Sequence, residues 1–206
     1  MTLVKICGLT RPEDAAAAAE LGADLLGLVF SASSRRRLGL ARAEEIALAS
    51  GTNGRVGVFL EEPVGDILEA VERARLSFVQ IQRPVTEELL NAMPVPVIAA
   101  VRSTGEADAL PKRVVRRLRA VLLDDSQGAG RRALWESASP SSRPTLPVDL
   151  FLAGGLDEGC VAEAIRRLRP DGVDVATGVE SSVGIKDLGR MRRFIAAVRD
   201  ADRESA

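Results

Sequence analysis

The sequence contains no histidine and no tyrosine in its 206 residues. Without histidine, Ser-His-Asp and Cys-His catalysis and any histidine-ligated metal centre are excluded. Cys7 and Cys160 are the only cysteines, too few for a four-cysteine zinc site and no basis for a disulfide framework. Five Phe and one Trp offer little for stacking nucleic-acid bases. The basic excess of a nucleic-acid binder is missing as well, since 28 Lys and Arg stand against 29 Asp and Glu, a net charge of −1. No run of ~18 apolar residues offers a transmembrane helix. Met1 leads at once into a strand-like run with no charged and apolar leader before it, which points to the cytoplasm. The expectation is a cytoplasmic protein with no nucleic-acid partner, no membrane partner and no metal.

What is present is ordinary globular composition, 46% apolar and 28% charged, enough for one domain over residues 1–206 with a sizeable core. Short apolar runs alternate with helix-period segments. Strands are expected at 3–7, 25–30, 55–60, 78–81, 95–101, 120–123, 148–152 and 172–175. Helices are expected at 12–21, 41–50, 63–73, 86–92, 106–110, 157–168 and 188–199, with start signals at Thr10-Arg11 before Pro12 and at Asp157-Glu158. The strand starts recur at an average spacing of roughly 24 residues, one βα unit each, which predicts a parallel sheet and a small single-domain (β/α)8 TIM barrel. A doubly wound sheet is the structural alternative, but Cys7-Gly8-Leu9-Thr10 after the first strand is not a dinucleotide loop. The irregular stretch 124–147 follows strand six and becomes a long loop at the C-terminal face, where such barrels keep their active sites.

Strand ends are therefore where chemistry is sought. Cys7 ends strand one, and the period of two puts it on the face of Lys5, whose ammonium would favour a thiolate acting as base or nucleophile. Asp124 and Asp125 follow strand six, and a carboxylate there is a candidate general acid, its neighbour a turn cap. Gly154-Gly155 end strand seven and Thr177-Gly178 end strand eight, the two loops that form a phosphate site in such barrels. Arg35-Arg36-Arg37 follow strand two, and one of them could clamp a carboxylate or phosphate. Cys160 reads as a packed mid-helix thiol. The basic run Lys112–Arg119 reads as a solvated or interface surface on the far face.

Taken together these residues resemble the phosphoribosylanthranilate isomerase family. Val4-Lys5-Ile6-Cys7-Gly8-Leu9-Thr10, Gly22-Ala23-Asp24, Gly27-Leu28-Val29-Phe30 with Ser33-Ser34-Arg35-Arg36, Arg55-Val56-Gly57-Val58-Phe59 and Val79-Gln80-Ile81 carry the first half of the resemblance. Leu152-Ala153-Gly154-Gly155-Leu156 and the run from Gly172 through Val173-Asp174-Val175-Ala176-Thr177-Gly178 to Asp187 carry the second. The resemblance implies an Amadori rearrangement of N-(5′-phosphoribosyl)anthranilate in tryptophan biosynthesis, without metal or organic cofactor. It implies Asp124 as the acid at the ring oxygen, Cys7 as the base at C2′ and Arg36 as the clamp for the anthranilate carboxylate. Gly154, Gly155, Thr177 and Gly178 become the phosphate cradle. The sequence departs from the family pattern at Gln82-Arg83, where a His-Gly is usual, and in the segment 127–135, which keeps Gly128, Gly130 and Trp135 but not the usual Phe and Asp.

Two other readings stand beside the isomerase: a Schiff-base aldolase using Lys5, and a catalytically reduced paralogue that binds a phosphorylated ligand. The related histidine-pathway isomerase resembles a two-aspartate enzyme, and Cys7 argues against it. The expected partner is a phosphorylated small molecule, with the chain a monomer or homodimer. Because it runs from the first strand to the last helix, no fused pathway enzyme is expected.

Overall fold

The computed structural model describes residues 1–124 and 142–204. Asp125, Gly128, Gly130 and Trp135 lie outside the described residues. Eight parallel strands close into a barrel in sequence order: β1 (Leu3–Ile6), β2 (Leu25–Val29), β3 (Gly54–Phe59), β4 (Phe78–Ile81), β5 (Val97–Val101), β6 (Ala120–Leu123), β7 (Asp149–Leu152) and β8 (Gly172–Val175). Closure falls on β1, which pairs with β2 on one side and β8 on the other, so that Lys5 stands opposite both Leu25 and Asp174. The fold is the expected (β/α)8 barrel.

Helices α1 (Pro12–Glu20), α2 (Leu40–Ala49), α3 (Val64–Arg73), α4 (Glu87–Ala92), α5 (Thr104–Asp108), α6 (Lys112–Val115), α7 (Val161–Leu168) and α8 (Leu188–Glu204) cover the outside. α8 buries Met191, Phe194, Ile195, Val198 and Ala201, the spacing of one helical face. It is tied back to the chain start, where Thr2 N–H and Oγ1 donate to the Asp202 carboxylate. The alanine run of α1 sets Ala15 and Ala18 against the sheet with no exposed surface. Among the described residues no helix is long and apolar enough to cross a membrane.

The strands bury both faces, as parallel barrels do. Val4, Ile6, Leu26, Leu28, Val79, Ile81, Val121, Leu123, Val173 and Val175 belong to the cluster shared with the helices. Leu25, Val56, Ile98, Ala120, Leu122, Phe151 and Ala153 form a second cluster, which the two-residue period places inside the barrel. Above that apolar floor the interior turns polar, with Lys5, Gln80 and Asp174 buried.

Several expectations are corrected. The helix expected at 106–110 is instead α5, which starts at Thr104 because Ser103 Oγ accepts the Glu106 N–H as an N-cap. The basic run, by contrast, is a surface as expected: Lys112, Arg113, Arg116, Arg117 and Arg119 are exposed, while its Val114 and Val115 are buried within α6. The helix expected from 157 begins only at Val161, because the Asp157 side chain accepts the Gly159 N–H and holds 157–160 as a turn. Cys160 is therefore the residue before that helix, not a mid-helix residue. After β8 the chain makes a 3-10 turn (Thr177–Val179) and a hairpin of β9 (Glu180–Ser182) and β10 (Ile185–Lys186) that the sequence pattern did not announce.

Candidate active site

The end of β1 delivers two side chains of one face to the interior, Lys5 and Cys7, buried at 0% and 8% exposure. Lys5 Nζ donates to Asp174 Oδ1 at 2.9 Å, an ion pair between residues in register on β1 and β8. Burial works against the ammonium of Lys5, but Asp174 and Cys7 outweigh it and push its pKa up. Lys5 thus stays charged, committed to Asp174. For Cys7 the expected lowering by Lys5 is present but loses. Burial first and the Asp174 carboxylate second push the thiol up, against the opposing pull of Lys5 and Lys186. At rest Cys7 is a thiol whose deprotonated form has a cation as neighbour.

Cys7 packs with Val29 and Val58, the apolar ends of β2 and β3. It opens onto a cavity of about 420 Å3, which is also lined by Arg36, Gln80, Asp124 and Asp174. Asp124 follows the last residue of β6, and its N–H donates to Val101 O at 2.9 Å, continuing the ladder to β5. Asp124 borders three spaces: the Cys7 cavity, a cavity of about 320 Å3 towards Gln82, Arg83 and Arg102, and a small one of about 50 Å3 at the ends of β7 and β8.

Of the three consecutive arginines, Arg36 is the one turned in, between exposed Arg35 and Arg37. Its Nε and Nη2 donate to the two oxygens of Glu180 at 2.7 and 2.6 Å, and Nη2 also donates to Thr177 Oγ1 at 3.1 Å. Lys186 Nζ donates to the same Glu180 at 3.0 Å and to Ala176 O at 3.1 Å. Burial would raise the Glu180 carboxyl, and Arg36 and Lys186 outweigh it, holding it below the usual carboxylate range. One carboxylate shared by two cations leaves this cluster with one surplus positive charge. Gly8, with φ +72°, makes room for Arg36, because a Cβ there would collide with Arg36 Cδ.

The small cavity is lined by Gly154, Gly155, Thr177 and Gly178, together with Asp124 and Asp174. Gly178 lies against the carbonyl of Leu156, a contact any side chain would break. Among the described residues, Cys7, Arg36 and Asp124 line the large cavity and Gly154, Gly155, Thr177 and Gly178 line the small one, and the two cavities adjoin at Asp124, Asp174 and Ala176. The expected helix N-terminus at Asp157 is displaced to Val161, so the small cavity is lined by loop residues and the turn at Thr177 rather than by a helix N-terminus.

Sequence reading missed Asp174 and Glu180; it placed Lys186 near the site together with Lys5, but without its partner Glu180. A signal for Asp174 was present: Lys5 and Asp174 each interrupt a strand that is otherwise apolar, and two opposite charges inside a parallel barrel must pair. Glu180 carried no such signal, because nothing in the sequence places the hairpin beside Arg36.

Residues 4–197 match the family model described as N-(5′-phosphoribosyl)anthranilate (PRA) isomerase. An N-(5′-phosphoribosyl)anthranilate isomerase of Halorhodospira halophila is 40% identical over 203 residues, covering 98% of each chain. Among solved structures, monomers of the dimeric phosphoribosylanthranilate isomerase from Thermotoga maritima align with a TM-score of 0.78 at 33% identity, over 97% of this chain and 99% of that one. A phosphoribosyl anthranilate isomerase in complex with reduced 1-(o-carboxyphenylamino)-1-deoxyribulose 5-phosphate aligns at 0.76 and 31% identity, over 97% and 100%.

Proposed function

The chain belongs to the N-(5′-phosphoribosyl)anthranilate isomerase family, and on that premise we propose how its residues divide the reaction. It is an isomerase of tryptophan biosynthesis that converts N-(5′-phosphoribosyl)anthranilate to 1-(o-carboxyphenylamino)-1-deoxyribulose 5-phosphate. Asp124 protonates the furanose ring oxygen as the C1′–O bond breaks and the anilino nitrogen forms a C1′=N bond. Cys7 first releases its own proton to solvent, leaving a thiolate beside the Lys5 ammonium, and that thiolate takes the C2′ proton; the released electron pair forms C1′=C2′ as the C1′=N pair returns to nitrogen, giving an enolamine. Return of a proton to C1′ and loss of one from the C2′ hydroxyl yield the ketone. Every atom of the substrate is kept, and no electron enters or leaves.

Arg36 spends Nε and Nη2 on Glu180 and Thr177, and its Nη1 edge remains for the anthranilate carboxylate, which meets the surplus positive charge of the cluster. Gly154, Gly155, Thr177 and Gly178 hold the phosphate. The substrate is a phosphorylated small molecule. Residues 1–206 act as one domain, in the cytoplasm, as a monomer or homodimer, with no nucleic-acid or membrane partner. An aldolase role for Lys5 is disfavoured because an imine-forming lysine must be neutral, and Asp174 keeps this one charged.

The observation that carries the reading is the shared cavity, in which a thiol, a carboxylate and an arginine converge beside a glycine-lined anion pocket. The test is turnover of phosphoribosylanthranilate made in situ from anthranilate and phosphoribosyl pyrophosphate, followed by fluorescence. Rapid loss of signal is expected. A folded protein that leaves the signal unchanged contradicts the assignment and favours the paralogue that only binds a phosphorylated ligand.

A further inference from the structure

We propose that the Gln80 side-chain amide is a substrate contact that binds a hydroxyl of the substrate's sugar; this rests on the isomerase reading above. Gln80 sits on β4, flanked in register by Val58 and Ile98. It is 1% exposed, and it lines the cavity that holds Cys7, Asp124 and Asp174. Its Oε1 is a buried side-chain atom with no hydrogen-bond partner among the described residues. The neighbouring polar groups are committed elsewhere, Lys5 to Asp174 and Glu180 to Arg36 and Lys186.

A buried amide left unpaired costs stability, and a methionine of similar length would suit the flanking Val58 and Ile98 better. Gln80 thus weakens the free protein at a wall of its own reaction cavity, as binding groups do. The amide is neutral, so it suits neither the phosphate nor the carboxylate, which have the cradle and Arg36. Between those two anionic ends the substrate carries hydroxyls. Oε1 is the enclosed atom, so a hydroxyl in the cavity accepts from Nε2, or donates to Oε1 once the amide turns over, and it suits this group in either orientation. In that position Gln80 would fix the sugar carbons next to the one that Cys7 deprotonates.

The test is Gln80→Met in the full chain, with three readouts: kcat/KM for phosphoribosylanthranilate, affinity for reduced 1-(o-carboxyphenylamino)-1-deoxyribulose 5-phosphate, and Tm without ligand. We expect kcat/KM and analogue affinity each to fall about tenfold or more while Tm holds or rises. Unchanged kinetics and affinity overturn the proposal. So does an activity loss that tracks a falling Tm, or failure of both Gln80→Met and Gln80→Leu to fold, since each makes Gln80 structural. If wild type binds the analogue but does not turn over, the isomerase reading fails alone, and the affinity comparison still decides Gln80.

Discussion

Gly27 on β2 lies so close to Cys7 that a Cβ placed on it would stand 2.7 Å from Cys7 Sγ and 2.9 Å from Cys7 Cα. The second of those atoms is backbone and has nowhere to go. The glycine therefore fixes how deep the thiol sits, and with it the alignment to the C2′ proton that the proposed mechanism requires. Gly27→Ala should destabilise the fold by about 1–3 kcal/mol through overpacking and lower kcat by about a hundredfold through displacement of Cys7. Denaturant melts and steady-state kinetics measure the two effects separately.

Glu180 is the only acceptor found for two buried cations among the described residues, save the Thr177 hydroxyl and the Ala176 carbonyl. Glu180→Gln leaves Arg36 and Lys186 facing each other without an anion, and should cost about 3 kcal/mol of stability. Because the folded carboxyl is held below its ordinary value of 4.5, its contribution is complete above that value and is lost as pH falls through the lower, folded one. The variant should accordingly show a shallower loss of stability with acid than wild type in urea titrations run from neutral pH downwards.

The thiol of Cys7 is pushed up by burial and by Asp174 and pulled down by Lys5. A raised folded pKa means that its contribution to stability is intact below the ordinary thiol value of 9.0 and fades as pH rises through the folded one. The same signs give a chemical readout. Asp174→Asn removes a charge that raises the thiol and should shift the pH curve of Cys7 alkylation downwards. Lys5→Met removes a charge that lowers it and should shift the curve upwards. Iodoacetamide labelling across a pH series, with the Cys7 and Cys160 peptides resolved by mass spectrometry, follows both and keeps Cys160 as an internal control. Shifts in the opposite directions would refute this electrostatic account.

The parts of this architecture that were legible in the sequence are those set by local chemistry. Strand and helix periods announced the barrel, and Cys7, Asp124, Gly154-Gly155 and Thr177-Gly178 stood at strand ends because a barrel puts its loops there. What was not legible depends on partners far apart in the chain. Lys5 meets Asp174 across 169 residues and Arg36 meets Glu180 across 144. A basic residue in a run such as Arg35-Arg36-Arg37 reads the same whether solvated or buried until its acceptor is placed. The late start of α7 was hidden for a simpler reason. Asp157 is a good helix cap, but here it caps a turn.

The central claim is that Cys7 and Asp124 perform the proton transfers while other groups hold the substrate. Single-site variants Cys7→Ser and Asp124→Asn, assayed for turnover and for affinity towards reduced 1-(o-carboxyphenylamino)-1-deoxyribulose 5-phosphate, test it most directly. The account predicts that each loses turnover by about a thousandfold while analogue affinity stays within a few-fold of wild type. Either variant turning over at a rate close to wild type would contradict it.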